Sequence, residues 1–245
     1  MIRAERSIMG MPVVVALAER GTMADAEAVF SYLREVDARF STYKPTSEIS
    51  RMNAGEIDPA DASPEMREVL DMCEAARVSS GGYFNIWNGT INDPSGLVKG
   101  WAIERAGQLL ERRGLEDFFI DVGGDVVVRG LVDGRPWIIG VRHPVQRDKQ
   151  VKRLALTNCG IATSGNYERG DHIYDPVTGR VPRGLRSFTV VGPSIMMADL
   201  LATIGYTMGP ELGLPYVDKQ PGYSAFCITD DFEGLSTQSF AQYNI

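Results

Sequence analysis

Between Asp117 and Gly192 the sequence breaks into short β-rich runs: DFFIDV, DVVVRG, PWIIGVRH, KRLALTN and RSFTVVG. Glycine, proline and charged turns separate them. The strongest helical patterns come earlier. In TMADAEAVFSYLREVDARF, the residues Ala26, Val29, Phe30, Leu33, Val36 and Phe40 share one face at helical spacing. SPEMREVLDMCEAARVSSGG carries Ser63 as N-cap, Pro64 at the first helical position and Gly81 beyond its end. LVKGWAIERAGQLLERRG is closed by Gly114. One helix, SIMMADLLATIGYTMG, interrupts the late strands, and YSAFCITD reads as the last strand. Helices gathered early and antiparallel strands meandering late predict an α+β fold rather than a βαβ parallel sheet.

The first 21 residues read as two strands around a Met-Gly-Met turn, STYKPTSEISRMN as a polar connection, and YFNIWNGTINDPSG as turn-rich chain. A chain of 245 residues makes one large domain or two small ones. There is no internal repeat, low-complexity tract or linker. The expectation is a single compact unit over residues 1–245, whether or not it divides into two lobes around a cleft.

A net charge of −7 argues against nucleic acid as a partner, because phosphate backbones want a basic face. It leaves room for a phosphorylated small molecule, which needs only a local patch or a bound cation. Cys73, Cys159 and Cys227 lie far apart, and an odd number fits a disulfide framework poorly. The N-terminal apolar run is brief and broken by Pro12, and no stretch approaches the ~20 apolar residues of a membrane span. The expectation is a cytoplasmic protein with no membrane anchor of its own.

Four places could carry chemistry. Asp199 and Thr203 are four apart and share one helix face, otherwise apolar with Met196, Leu200 and Ile204. A carboxylate and a hydroxyl one turn apart suit Mg²⁺. Equally, the threonine could bond back to a helix carbonyl while Asp199 favours the helix N-terminus. In NDPSGLVKGWA, Asp93 and Ser95 precede a helix start bearing Lys99, either an anion site or a capped helix with a solvated lysine. IDVGGDV ends a strand in Gly123-Gly124, which permits close backbone approach. HIYDPVTGR sets His172 three residues before Asp175 in turn chemistry, with Pro176, Thr178 and Gly179. A dinucleotide fingerprint and a nucleophile elbow are both missing.

The order of the pieces says more than any one of them. FSTYKPTSEISRMN, DPSGLVKGWAIERA, DVGGDV, ATSGNYER, HIYDPVTG and ADLLATIGYTMG occur here in the order found in the ApbE family. The chain resembles that family, the FAD:protein FMN transferases, from about residue 9 to residue 209. The resemblance implies binding of FAD and Mg²⁺ in a cleft between two α+β lobes. It also implies transfer of FMN to a threonine or serine of an acceptor flavoprotein, with release of AMP. It implies Asp199, Thr203 and the Gly96 carbonyl as Mg²⁺ ligands. Met9, Tyr43, Tyr83, Phe84, Asn85, Asp93 and Lys99 would line the FAD site. His172 would stand nearest the chemistry, as a general base for the acceptor hydroxyl.

Two departures bear on these expectations. The family's Ala-Phe-Asp-x-Thr run is YFNIW here, so Asn85 replaces the carboxylate and Trp87 the threonine. The segment that follows is shortened to IWNGTIN. A flavin pyrophosphatase that releases free FMN, or an FAD-binding protein without catalysis, are the alternatives. No good copy of an acceptor motif occurs in the chain, so self-modification is not expected.

Overall fold

Strand alternation sends successive side chains to opposite faces, and in the computed structural model both faces of the main sheet are covered. The structure describes residues 1–18, 20–146, 148–165, 174–176 and 178–245. Strands β1 (Ile2–Ile8) and β2 (Met11–Leu17) form a hairpin around Met9 and Gly10. Those two residues have φ of 55° and 70°, the pair of positive values that a tight two-residue hairpin turn requires. Helices α1 (Met23–Phe40), α2 (Glu48–Asn53), α3 (Pro64–Ser79) and α4 (Ser95–Arg112) follow. Then come β3 (Phe118–Val122), β4 (Asp125–Arg129), β5 (Trp137–Arg142), β6 (Gln150–Leu156), β7 (Cys159–Ser164) and β8 (Leu185–Gly192). Helices α5 (Ile195–Met208) and α6 (Pro210–Asp218) precede β9 (Ser224–Thr229) and β10 (Gly234–Ser236).

Eight strands form one sheet in the order β1-β2-β3-β4-β7-β8-β9-β10, and every pairing is antiparallel. The helices cover one face, where Phe118, Ile120, Phe188 and Val190 meet Phe30 and Leu33 of α1 and Ile103 of α4. The β5–β6 hairpin covers the other, where Val126, Val128, Ile161 and Phe226 meet Trp137, Ile139 and Leu154. This is the α+β architecture expected from the order of patterns.

The long helices begin and end where their caps stand. Thr22 and Asp25 form a reciprocal capping box at the start of α1. Arg113, just past α4, donates to the same Asp25 at 2.6 Å and ties the two helices together. The Thr22 hydroxyl, Arg113 and the Thr22 backbone N–H together hold the Asp25 carboxyl down at about 2.

Four elements depart from the pattern reading, the simplest being β10, which follows the strand read as the last. The polar connection contains α2, whose six residues are too few for an amphipathic period. It is held by Ser47 as N-cap and by Glu48, which accepts from Ser63 N–H at 2.5 Å and Ser63 Oγ at 2.8 Å. Strand β7, CGIATS, shows no alternation because it is buried on both faces. Helix α6 has Gly213 and Pro215 inside it, poor helix formers that tertiary packing overrides. Among the described residues no helix is long and apolar enough to cross a membrane.

Candidate active site

The site forms where α4 crosses α5. At the start of α4, Asp93 Oδ1 accepts from the Ser95 N–H at 3.0 Å, which fixes the turn into the helix. About two and a half turns further on, Glu104 reaches across to the start of α5. Its Oε2 accepts from Ser194 Oγ at 3.0 Å and from the Ile195 N–H at 2.9 Å, so α4 itself satisfies an orphan donor of α5. Between these points the backbones nearly touch at Gly100. A Cβ there would lie 2.7 Å from the Asp199 Cβ and 2.9 Å from the Met196 Cα.

That approach lets Asp199 point at α4. Its Oδ2 accepts from the Gly100 N–H at 2.8 Å. In a regular helix this donor serves the carbonyl four residues back, that of Gly96, so Asp199 competes with Gly96 for it. Lys99 contacts Asp125 Oδ2 and stands 3.4 Å from Asp199 Oδ1. Asp125 is held from β7, where the Thr163 N–H donates to its Oδ1 at 2.9 Å. Both carboxylates are 2% exposed. Burial pushes the Asp199 carboxyl up to about 7; Lys99 opposes this shift and Asp125 adds to it.

Hydroxyls complete the cluster. Thr203 Oγ1 and Ser164 Oγ, from α5 and the end of β7, are 3.2 Å apart. Bonding back to the helix is done by Thr207, whose hydroxyl donates to the Thr203 carbonyl at 2.8 Å, so the Thr203 hydroxyl faces β7 instead. A Cβ on Gly96 would meet the Phe84 ring at 3.2 Å and the Thr203 methyl at 3.6 Å, which sets Gly96 beside Thr203. The donors are all hard oxygens: two carboxylates, two hydroxyls and a helix-start carbonyl. Among the described residues no group of three or more His, Cys, Asp and Glu could hold a metal. Such a set suits Mg²⁺, which takes one or two carboxylates and leaves positions to phosphate and water.

Residues 9–93 and 88–227 match the sequence model of the ApbE family. The chain belongs to the ApbE family. Its two matched segments overlap at residues 88–93. It is 31% identical to an FAD:protein FMN transferase of Klebsiella pneumoniae over 162 residues, covering 62% of this chain and 46% of that protein. One from Vibrio cholerae is 32% identical over 164 residues, covering 62% and 49%. The chain thus spans about half the length of these curated relatives. A third, from Haemophilus influenzae, is 24% identical over 285 residues and covers 89% and 82%. Among solved structures, the ApbE protein from Thermotoga maritima superposes with a TM-score of 0.87 at 22% identity, covering 100% of this chain and 99% of that one. The flavin transferase ApbE from Vibrio cholerae gives 0.84 at 23%, covering 99% and 98%. At such identities these two establish the shared fold.

Within this ApbE fold, the sequence candidates Gly96, Lys99, Asp199 and Thr203 come together, with Phe84 against Gly96. Phe84 is buried and Tyr83 partly buried against the helix-side core. Met9 sits in the β1–β2 turn and packs on that same core. Tyr43 is 95% exposed after α1. Asn85 is exposed, and its Oδ1 accepts from the Trp87 N–H at 3.0 Å. His172 lies outside the described residues. Later in the sequence, the Thr178 hydroxyl donates to Asp175 Oδ2 at 2.6 Å, and Gly179 has φ of 68°, as turn chemistry demands.

Sequence reasoning noticed Gly100 and Ser164 without giving them a role, and it did not single out Asp125 or Glu104. The available signal was strand parity: Asp125 pairs with Val122 in register, on the face that also carries Ile120 and Val127.

Proposed function

We propose that the chain is a Mg²⁺-dependent FAD:protein FMN transferase that moves FMN from FAD to a Thr or Ser hydroxyl of an acceptor flavoprotein and releases AMP. The observation that carries this is the buried Lys99–Asp125–Asp199 cluster at the start of α4, in a chain of the ApbE family. Asp199, Thr203 and the Gly96 carbonyl would hold the Mg²⁺, which supplies charge neutralisation on the pyrophosphate. Lys99 and the N-terminus of α4, opened by Asp93, supply positive potential for the same phosphates. Met9, Tyr43, Tyr83, Phe84 and Asn85 would line the rest of the FAD site. His172 would take the proton as the acceptor oxygen forms its bond to phosphorus and the P–O bond to AMP breaks. A cytoplasmic location is supported by three cysteines that are all free and buried.

The test is product analysis after incubation with FAD and Mg²⁺, with and without an acceptor protein. AMP together with protein-bound FMN, formed only with the acceptor, is the expected result. AMP with free FMN and no need of an acceptor would mean a pyrophosphatase. No turnover in either tube would overturn both enzyme readings.

A further inference from the structure

Two carboxylates buried side by side cannot both stay ionised without a cation near them. In this site the cation is Lys99, whose side chain is only 25% exposed. Its grip on the two acids is unequal. Asp125 Oδ2 is in ion-pair contact with the ammonium and accepts no hydrogen bond from the described residues, while Oδ1 is occupied by the Thr163 N–H. Asp199 Oδ1 stands 3.4 Å away, beyond a normal N–H···O bond, and its Oδ2 is bonded to Gly100. Lys99 therefore holds Asp125 firmly and Asp199 loosely.

We propose that Lys99 is the built-in counter-cation of the site. Its ammonium stands in for a divalent ion beside Asp199, and Asp125 draws it aside so that the ion can take Asp199 without expelling the lysine. The inference rests on Asp199 being a metal ligand, as in the function proposed above. It also explains why cation and phosphate would bind together. With both acids ionised, two carboxylates and an ammonium leave one negative charge; a divalent ion turns this into one positive charge, which an anionic phosphate ligand neutralises.

The test uses the intact protein without flavin: melting temperature is followed against MgCl₂, with NaCl controls of equal ionic strength. Lys99→Met should lower the midpoint Mg²⁺ concentration by about tenfold or more, because the competing charge is gone. Asp125→Asn should raise it by about tenfold, because the lysine is released onto Asp199. In the double variant, the Asp125→Asn effect should shrink below about threefold, since it acts through the lysine. Lys99→Gln is a second variant with the same expectation as Lys99→Met. An unchanged or raised midpoint in Lys99→Met and Lys99→Gln would overturn the proposal. So would an Asp125→Asn effect that is as large with Met at position 99 as with Lys, for Asp125 would then act on the ion directly. If both Lys99 variants stay unfolded in saturating MgCl₂, the ion does not replace the ammonium and the proposal fails. A Mg²⁺ shift that survives Asp199→Ala would overturn the ligand assignment as well. With no flavin present, none of these outcomes depends on whether FMN is transferred.

Discussion

The Gly100 N–H donates to Asp199 Oδ2 at 2.8 Å across two helices so close that a Cβ on Gly100 would lie 2.7 Å from the Asp199 Cβ. One glycine thus sets both the separation of α4 and α5 and the aim of the carboxylate. Gly100→Ala gains about 1 kcal/mol of helix propensity, yet overpacking of this kind costs about 1–3 kcal/mol and should prevail. A lower urea midpoint together with a weaker Mg²⁺-induced melting shift is the expected result. A variant as stable as the parent, with an unchanged Mg²⁺ response, would show that the helices have room to spare.

Asp25 gives the fold a defined acid response. Its folded-state value of about 2 lies below the ordinary 3.8, so its contribution is fully present above about pH 4 and is lost as pH falls through about 2. Asp25→Asn should therefore lower the urea midpoint at neutral pH by a constant amount. Between about pH 4 and pH 2 the gap to the parent should close. A gap independent of pH across that range would contradict the capping role.

Asn53 anchors the short loop ahead of α4. Its Nδ2 donates to the Asn92 carbonyl and its Oδ1 accepts from the Asn92 N–H, both at 2.9 Å. Asn53→Ala leaves both backbone groups without this partner and should cost about 1–3 kcal/mol. Amide exchange should accelerate over residues 85–93 while α1 remains protected. Unchanged exchange there would mean that other bonds hold the loop.

Burial pushes the thiols of Cys73, Cys159 and Cys227 up, to about 12, about 11 and about 11. The thiolate is the reactive form, so a disulfide reagent at neutral pH should modify none of them in the native protein and all three after denaturation. Fast native labelling of any one would show that its strand or helix opens readily.

The role proposed for His172 separates binding from chemistry. His172→Ala should keep FAD affinity and lose FMN transfer by about 10²–10⁴-fold, the usual contribution of a positioned base. A collapse of affinity with a normal single-turnover rate in the bound fraction would make it a binding residue.

Helices α1, α3 and α4 were legible because periodicity and caps are local properties written into contiguous residues. Strand β7 and helix α6 were not, because CGIATS is buried on both faces and Pro215 contradicts its own helix. The site divides in the same way. Gly96, Lys99, Asp199 and Thr203 stood out through spacing and the order of motifs. Asp125 did not, because DVGGDV offers two aspartates of equal appearance. The Gly123-Gly124 turn brings Val122 opposite Asp125 and Asp121 opposite Val126, and pleating then sends the two acids to opposite faces. Asp125 turns to the helices and Lys99. Asp121 goes to the hairpin side, where it accepts from the Gly124 N–H at 2.7 Å. Only the register of the folded hairpin distinguishes them.

The main sheet also works as a bulkhead. Asp125, Asp199, Ser164, Thr203 and Lys99 all lie on its helix side, while β5 and β6 close the other side with a core of their own. Changes confined to the far core therefore need not reach the Lys99–Asp125–Asp199 cluster. The exposed Asp133-Gly134 turn, with φ of 49° and 72°, opens into that compartment at the entry to β5. It is the place to splice in a reporter or a tether while leaving the Asp199 site as it stands.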